Sequence, residues 1–167
     1  MKHKIISLLA VMMALSLGVA ACTEVDGQTP AAKEYTANLI GSSEVPAVNT
    51  VANGQAVFKL SADGNSMTFT LTVSNIENVT QAHIHFAPAG VAGPVVVPLF
   101  GQPKTGVFTG ILAEGLITSS VFGGQLLGKT MNDLVTNIEA GNAYVNVHTA
   151  QNSPGEIRGQ LQLKTAP

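Results

Sequence analysis

The strongest constraint on the fold is a series of short segments in which apolar and polar residues alternate, each ended by turn-forming residues. Alternation with a period of two is typical of β-strands that bury one face. We predict strands at residues 35–41, 54–60, 66–74, 79–86, 94–99, 106–112, 142–149 and 156–163. The sequence Ala62-Asp63-Gly64-Asn65 predicts a hairpin, and Pro88-Ala89-Gly90 and Ser153-Pro154-Gly155 predict loops. Short strands separated by turns favour an all-β antiparallel sandwich or barrel.

One segment departs from this alternation and predicts a short helix near residues 131–140. Its apolar residues recur at helical spacing: Met131, Leu134, Val135 and Ile138. Thr130 precedes them as a suitable N-cap, and Asp133 lies where a carboxylate interacts favourably with the helix dipole. Gly141 follows as a typical residue just beyond a helix C-terminus.

The N-terminal residues have the organisation of a bacterial export signal. Lys2 and Lys4 precede an apolar stretch at residues 5–19, which is short for a membrane span. This stretch leads into the sequence Val19-Ala20-Ala21-Cys22, which resembles the lipobox of bacterial lipoproteins. In a lipobox a peptidase cuts the chain before the cysteine, and the cysteine is acylated. We therefore predict a lipoprotein signal peptide at residues 1–21 and a lipid on Cys22. An ordinary cleaved signal peptide is the alternative.

These features predict a lipid-anchored domain in the cell envelope. Residues 22–33 are small and polar and predict a flexible tether, followed by one domain at residues 34–164. Cys22 is the only cysteine, which excludes an internal disulfide. The formal net charge of −2 and the lack of a basic cluster exclude nucleic acid as a partner. Thr23 in place of aspartate favours the outer membrane, and we expect a monomer whose envelope partner is unidentified.

The histidines are the side chains most suited to chemistry. His83 and His85 alternate with Ala82, Ile84 and Phe86, so both rings point to the same face of their strand. His148 lies on the polar face of segment 142–149. If the two strands are neighbours, three imidazoles meet, and three imidazoles suit a copper or zinc ion. The alternative is a polar network in which the histidines only form hydrogen bonds.

The apolar residues also predict the register of the last hairpin. Placing Val147 opposite Ile157 pairs their apolar faces. That register pairs His148 with Glu156, Asn146 with Arg158, and Tyr144 with Gln160. We therefore expect Glu156, Asn146 and Arg158 to surround the histidines without binding the ion. The cation of Arg158 would repel a metal unless a carboxylate, from Glu156 or Glu44, pairs with it.

Two long motifs resemble one known family. The segments AHIHFAPAGVAGPVVVPL and IEAGNAYVNVHTAQNSPGEIRGQL, together with an upstream LIGSSEVPAV, strongly resemble the CHRD domain, a module named from chordin. The resemblance implies an immunoglobulin-like or dismutase-like β-sandwich and no agreed biochemical activity. The His-x-His pair is also similar to a metal-binding pair of copper–zinc superoxide dismutase. That enzyme needs a further histidine, and the only other one in this chain is His3, in the predicted signal peptide.

Two functions remain open from the sequence. A binding or structural module is favoured because the chain contains no complete set of catalytic residues, and we assign none. Ser42 and Ser43 lack the context of a hydrolase nucleophile, and nothing sets the separation of Glu44 and Glu156. The alternative is a copper or zinc metalloenzyme, redox or hydrolytic, that uses His83, His85 and His148.

Overall fold

The computed structural model describes residues 33–164. The predicted signal peptide, Cys22 and nearly all of the predicted tether lie outside the described residues. The eight strands are β1 (Glu34–Ile40), β2 (Asn53–Leu60), β3 (Ser66–Phe86), β4 (Val95–Phe100), β5 (Lys104–Thr118), β6 (Ala143–Thr149), β7 (Ile157–Gln160) and β8 (Gln162–Leu163). One α-helix, α1 (Met131–Glu139), and three 3-10 turns at Gly41–Ser43, Ser119–Val121 and Gly124–Leu126 complete the elements. No helix within residues 33–164 is long and apolar enough to cross a membrane.

The strands form one antiparallel sheet that closes on itself. The order is β2-β1-β7-β6-β3-β4, and β2 also pairs with β3, so β1, β2, β3, β6 and β7 form a ring. Strand β5 pairs with β3 outside this ring, and β8 pairs with β1. The predicted all-β antiparallel architecture is confirmed, and it takes the form of a barrel with additional strands.

The long strand β3 differs from the prediction because it joins two predicted strands, 66–74 and 79–86, into one. Asn75 and Asn78 lie between them with positive φ angles of 54° and 53°. Asparagine tolerates this left-handed conformation better than most residues, so the chain bends there without ending the strand. The pairing of β3 with β5 shifts register at both positions. One continuous strand therefore carries both the hairpin with β2 and the histidine pair.

The other predicted elements are recovered with small changes. Strand β5 is longer than predicted because Ser66–Leu71 provides a pairing partner as far as Thr118. The last predicted strand is divided into β7 and β8 at Leu161, whose side chain is fully buried. Helix α1 has the predicted start, since Thr130 and Asp133 form a reciprocal capping box. Gly141 has the positive φ, 74°, of a residue just beyond a helix.

The apolar faces of β3, β6 and β7 build the part of the core beneath the candidate site. Ile84, Val145, Val147 and Ile157 have no exposed surface. The predicted register of the last hairpin is confirmed, with Val147 opposite Ile157 and Asn146 opposite Arg158. Because side chains alternate along each strand, packing Ile84 and Val145 inward directs their neighbours in sequence to the opposite face.

Candidate metal centre

Strands β3 and β6 bring the three predicted histidines together. The two strands are neighbours, with His83 opposite Asn146, His85 opposite Tyr144 and Gln81 opposite His148. Residues directly opposite one another in an antiparallel pair share a face. One potential ligand atom from each of the three histidines lies within 4.8 Å of those of the other two. The structure therefore places His83, His85 and His148 in one cluster, which we call the histidine cluster.

The spacing of the rings is close to that of a metal site. The Nδ1 atom of His83 lies 3.1 Å from Nε2 of His148. Ring centroids are separated by 5.0 Å for His83 and His148, and by 5.6 Å for His83 and His85. Nitrogens bound to one tetrahedral zinc lie about 3.3 Å apart. Small ring movements are therefore sufficient for three nitrogens to share one ion.

Two backbone carbonyls hold the rings of His85 and His148. Nδ1 of His85 lies 2.9 Å from the carbonyl oxygen of Gly93, and Nδ1 of His148 lies 2.8 Å from that of Ser153. A carbonyl only accepts, so each Nδ1 carries the proton and donates it, and each Nε2 keeps its lone pair. Histidine ligands of metals are typically oriented by such a bond at the other ring nitrogen. Both rings thus keep an unprotonated Nε2 atom, the form that a metal ligand requires.

A hydrogen bond joins the rings of His83 and His148. Because Nε2 of His148 has no proton, Nδ1 of His83 donates to it. Binding an ion at this point requires the His83 proton to move to its Nε2 atom, which changes the tautomer and leaves the charge of the ring unchanged. The His83 ring is half-buried, whereas His85 and His148 are buried, so the approach to the cluster is on the His83 side.

The environment keeps the imidazoles neutral. Burial lowers the pKa of His83 to about 4, and the neighbouring His148 and His85 rings contribute to this shift. Burial also lowers the pKa values of His85 and His148, against the opposing effect of their hydrogen bonds to Gly93 and Ser153. Only the neutral imidazole binds a metal, so the cluster is in its ligand form at neutral pH.

The CHRD domain family matches residues 35–161, a range that contains the histidine cluster and both loops that hold it. The chain belongs to the CHRD domain family. No curated protein and no solved structure matches the chain. The predicted family is therefore confirmed.

Arg158 lies behind the histidine cluster, where it supports the loop that holds His85. Its guanidinium carbon is 3.4 Å from the centroid of the Tyr144 ring, and that ring stacks on His85 with centroids 4.9 Å apart. Nη2 of Arg158 donates to the carbonyl oxygens of Val91, at 2.7 Å, and Pro88, at 3.3 Å. Within residues 33–164, no carboxylate lies within ion-pair distance of Arg158. Of the two carboxylates that could offset this cation, Glu156 and Glu44, neither forms an ion pair with it in the described part of the chain, although Arg158 is close enough to Glu44 to oppose the rise in its pKa that burial causes.

The carboxylate of Glu156 does not form a hydrogen bond with His148 among the described residues. Its carboxylate accepts hydrogen bonds from Oγ1 of Thr50 and of Thr149, each at 2.7 Å, and from Nδ2 of Asn152 at 3.3 Å. Strand β7 begins only at Ile157, so Glu156 lies beyond the regular register on which the expectation rested. The Ser153 carbonyl takes the expected position on His148. Glu156, Thr50, Thr149 and Asn152 form a separate set, which we call the Glu156 cluster.

Sequence reasoning missed the groups that orient the rings. The carbonyls of Gly93 and Ser153 belong to the two loops that the Gly and Pro residues predict, but no sequence pattern indicates where a loop carbonyl points. A Cβ on residue 93 would collide with the backbone of Phe86, so the close approach of this carbonyl requires glycine. Glu44 was considered only as a partner of Arg158; its carboxylate lies against Gly155, beside the amide of Asn146.

Proposed function

We propose that the protein is a cell-envelope lipoprotein whose CHRD domain binds one copper or zinc ion through His83, His85 and His148. The observation that carries this proposal is the orientation of the rings. Two imidazoles are fixed through Nδ1 by backbone carbonyls, which leaves their Nε2 atoms unprotonated, and one ring nitrogen of each of the three histidines lies within 4.8 Å of those of the other two. Imidazole nitrogens are good ligands for both metals. Three neutral ligands that are already oriented reduce the ordering needed when the ion binds.

A purely structural network explains the cluster less well. Such a network satisfies its members, because a buried polar atom without a partner costs about 1–3 kcal/mol. Nε2 of His85 is buried and has no hydrogen-bond partner among the described residues. A bound cation would give this atom the partner that it lacks.

The direct test is metal titration of the metal-free full-length protein in detergent. We expect one equivalent of Zn²⁺ or Cu²⁺ to bind, and we expect His83→Ala to lower the affinity by more than about 100-fold, because even the groups that hold a ligand are worth about 10–100-fold. Gln81→Ala is the matched control, since Gln81 is exposed on the same strand. Unchanged affinity in His83→Ala would reduce the cluster to a polar network.

Catalysis by the bound ion is the second candidate function, favoured by one observation. The half-buried His83 leaves an approach from solvent to the centre of the cluster. Redox or hydrolytic assays on protein loaded with copper or zinc test this candidate. Turnover that disappears in His148→Ala would identify an enzyme, whereas binding without turnover supports the binding module.

The anchor part of the proposal is supported by the lipobox-like Val19-Ala20-Ala21-Cys22 and by the small, polar residues 22–33. Several acyl chains on one residue make a stable membrane anchor. We expect Cys22→Ser to abolish lipidation and to leave an unprocessed precursor or a released protein. Membrane partition in detergent extraction and intact mass measure both effects. A variant that keeps the membrane partition and the lipid mass would contradict the anchor, and it would leave the metal proposal untouched.

A further inference from the structure

All the buried side-chain atoms that lack a hydrogen-bond partner among the described residues lie in one place. They are Nε2 of His85, Oδ1 of Asn146 and Oε1 of Glu44. Each residue is more than nine-tenths buried. The Asn146 amide lies between the other two, beside the His85 ring and beside the Glu44 carboxylate. All three atoms are acceptors, and none of them receives a hydrogen bond from the described residues.

The orientation of the Asn146 amide is determined by its surroundings. Its Nδ2 atom donates to the carbonyl oxygen of Pro154 at 3.2 Å. Oε1 of Glu44 lies on the same side, because it and Nδ2 both contact Gly155. Turning the amide over would place Oδ1 against a carbonyl and a carboxylate, which both repel it. The Oδ1 atom is therefore held on the other side, toward the histidine cluster.

No group of the cluster can donate to this oxygen. The single N–H of the neutral His85 ring is used by the Gly93 carbonyl, and Nε2 of His148 already accepts from His83. Nε2 of His85 and Oδ1 of Asn146 are thus two acceptors in one buried site with no donor between them. Two lone pairs in this arrangement repel each other unless a cation binds both.

We propose that Oδ1 of Asn146 is the fourth ligand of the ion, which completes a set of three imidazole nitrogens and one amide oxygen. Glu44 is a positioning residue in this proposal, since its carboxylate lies beside the NH₂ end of the amide and disfavours the orientation that would turn Oδ1 toward it. This inference rests on the proposed function, and it makes the site specific for a divalent ion. The set has no thiolate or thioether, the soft ligands that select Cu⁺.

A four-ligand site has a functional consequence. Catalytic zinc sites keep one position open for water or substrate, whereas sites that only hold the ion are closed by four protein ligands. Asn146 occupies the position that three histidines alone would leave open. The closed set assigns the domain to holding or carrying a divalent ion, and it argues against turnover at this ion.

The test compares metal-free full-length wild-type protein with Asn146→Ala, Asn146→Asp and, as matched control, Asn152→Ala, which removes an amide from the Glu156 cluster. We expect the Zn²⁺ affinity to fall by about 10–100-fold or more in Asn146→Ala. It should fall by less in Asn146→Asp, which keeps an oxygen ligand but places its second oxygen against the Pro154 carbonyl and the Glu44 carboxylate. Asn152→Ala should bind like wild type. The visible spectrum of bound Co²⁺ should change only in the Asn146 variants.

Two further measurements keep the inference open to refutation if Asn146→Ala does not fold. A structure of the zinc-loaded wild-type protein should show Oδ1 about 2.0–2.2 Å from the ion, the range of oxygen ligands. Glu44→Gln, which keeps the size of the side chain and removes the carboxylate, should weaken Zn²⁺ binding less than Asn146→Ala. A zinc ion bound by the three histidines and water, or unchanged affinity and Co²⁺ spectrum in Asn146→Ala, would overturn the role of Asn146 alone. Absence of binding in wild type would overturn the proposed function itself.

Discussion

The two polar clusters beside strand β6 differ in how completely their hydrogen bonds are made. In the Glu156 cluster, both carboxylate oxygens accept, and the donors are two hydroxyls and an amide. In the histidine cluster and its neighbours, three buried acceptors have no partner within residues 33–164. The clusters lie on neighbouring residues, since His148 belongs to one and Thr149 to the other, and they face opposite sides of the strand.

This difference predicts a structural role for the Glu156 cluster and a binding role for the histidine cluster. A satisfied polar network strengthens the fold, because removing one member leaves the others buried without partners. An unsatisfied network weakens the apo fold and becomes favourable only when a ligand supplies what is missing. We therefore expect changes in the Glu156 cluster to alter stability and changes in the histidine cluster to alter metal affinity.

The largest expected effect is on metal affinity in His85→Phe. The substitution keeps an aromatic ring to stack on Tyr144 and removes the ligand atom, so we expect the Zn²⁺ affinity to fall by more than about 100-fold. The stability of the metal-free protein should change by less than about 1 kcal/mol, because the lost bond to Gly93 is offset by removal of an unpartnered nitrogen. Isothermal titration and urea denaturation measure the two quantities.

A large loss of apo stability in His85→Phe would break the comparison, because it would show that the histidine cluster also holds the fold together. Gln81→Ala controls for general effects of altering β3. Its side chain is exposed and should change neither quantity.

The second effect is the pH dependence of the metal-free protein. Folding lowers the pKa of His83 from 6.5 to about 4, and it lowers the pKa values of His85 and His148. Between pH 6.5 and about 4 the unfolded chain therefore binds more protons than the folded one, so stability falls as the pH falls through this window. Burial raises the pKa of Glu44, which acts in the opposite direction, but it is a single group.

Folding lowers the pKa values of three histidines, so we expect the loss of stability to exceed the loss that His83 alone would cause. Urea denaturation across the window measures it, with and without saturating Zn²⁺. His83→Ala should show a shallower dependence than wild type. A metal-free protein equally stable across the window would contradict the burial of neutral imidazoles.

The third effect is on stability in Glu156→Gln. The glutamine side chain places an NH₂ group where a carboxylate oxygen accepts hydrogen bonds from donors in the wild-type protein. We expect this mismatch to lower the free energy of unfolding by about 1–3 kcal/mol. Metal affinity should stay within a factor of about three of wild type, because the carboxylate of Glu156 forms its hydrogen bonds with Thr50, Thr149 and Asn152 and not with the rings. Glu77→Gln is the matched control on an exposed position and should be neutral. A tenfold fall of Zn²⁺ affinity in Glu156→Gln would show that the two clusters act as one.

The same contrast shows how far the sequence predicts the site. Convergence of the histidines follows from two simple regularities, the period of two along a strand and the pairing of apolar faces. Both hold for His83, His85 and His148 because Ile84 and Val145 pack in the core. The position of Glu156 could not be predicted in this way, since the regular ladder ends at Ile157 and the preceding loop places the carboxylate among other donors.

The orientation of the groups around the rings could not be predicted from the sequence, for a related reason. The Gly93 and Ser153 carbonyls belong to loops, whose backbone directions depend on contacts with several strands at once. The Asn146 amide illustrates this best: its strand position is predictable, whereas the direction of Oδ1 depends on Pro154 and Glu44, which approach from two different loops.

The smallest expected effect is that of Tyr144→Phe, which tests how strongly the support of a ligand matters. The Tyr144 hydroxyl accepts from the backbone N–H of Gly93 at 3.1 Å, and its ring stacks on His85. Losing the hydroxyl should cost about 0.5–1.5 kcal/mol of stability and lower the Zn²⁺ affinity by less than about tenfold, because the Gly93 carbonyl still holds the His85 ring. Tyr35→Phe is the matched control: its hydroxyl donates to Glu139 at 2.7 Å, at helix α1, so it should lose similar stability with unchanged affinity. An affinity loss in Tyr144→Phe as large as that in His85→Phe would place the hydroxyl on the ion and would exclude the ligand set that contains Asn146.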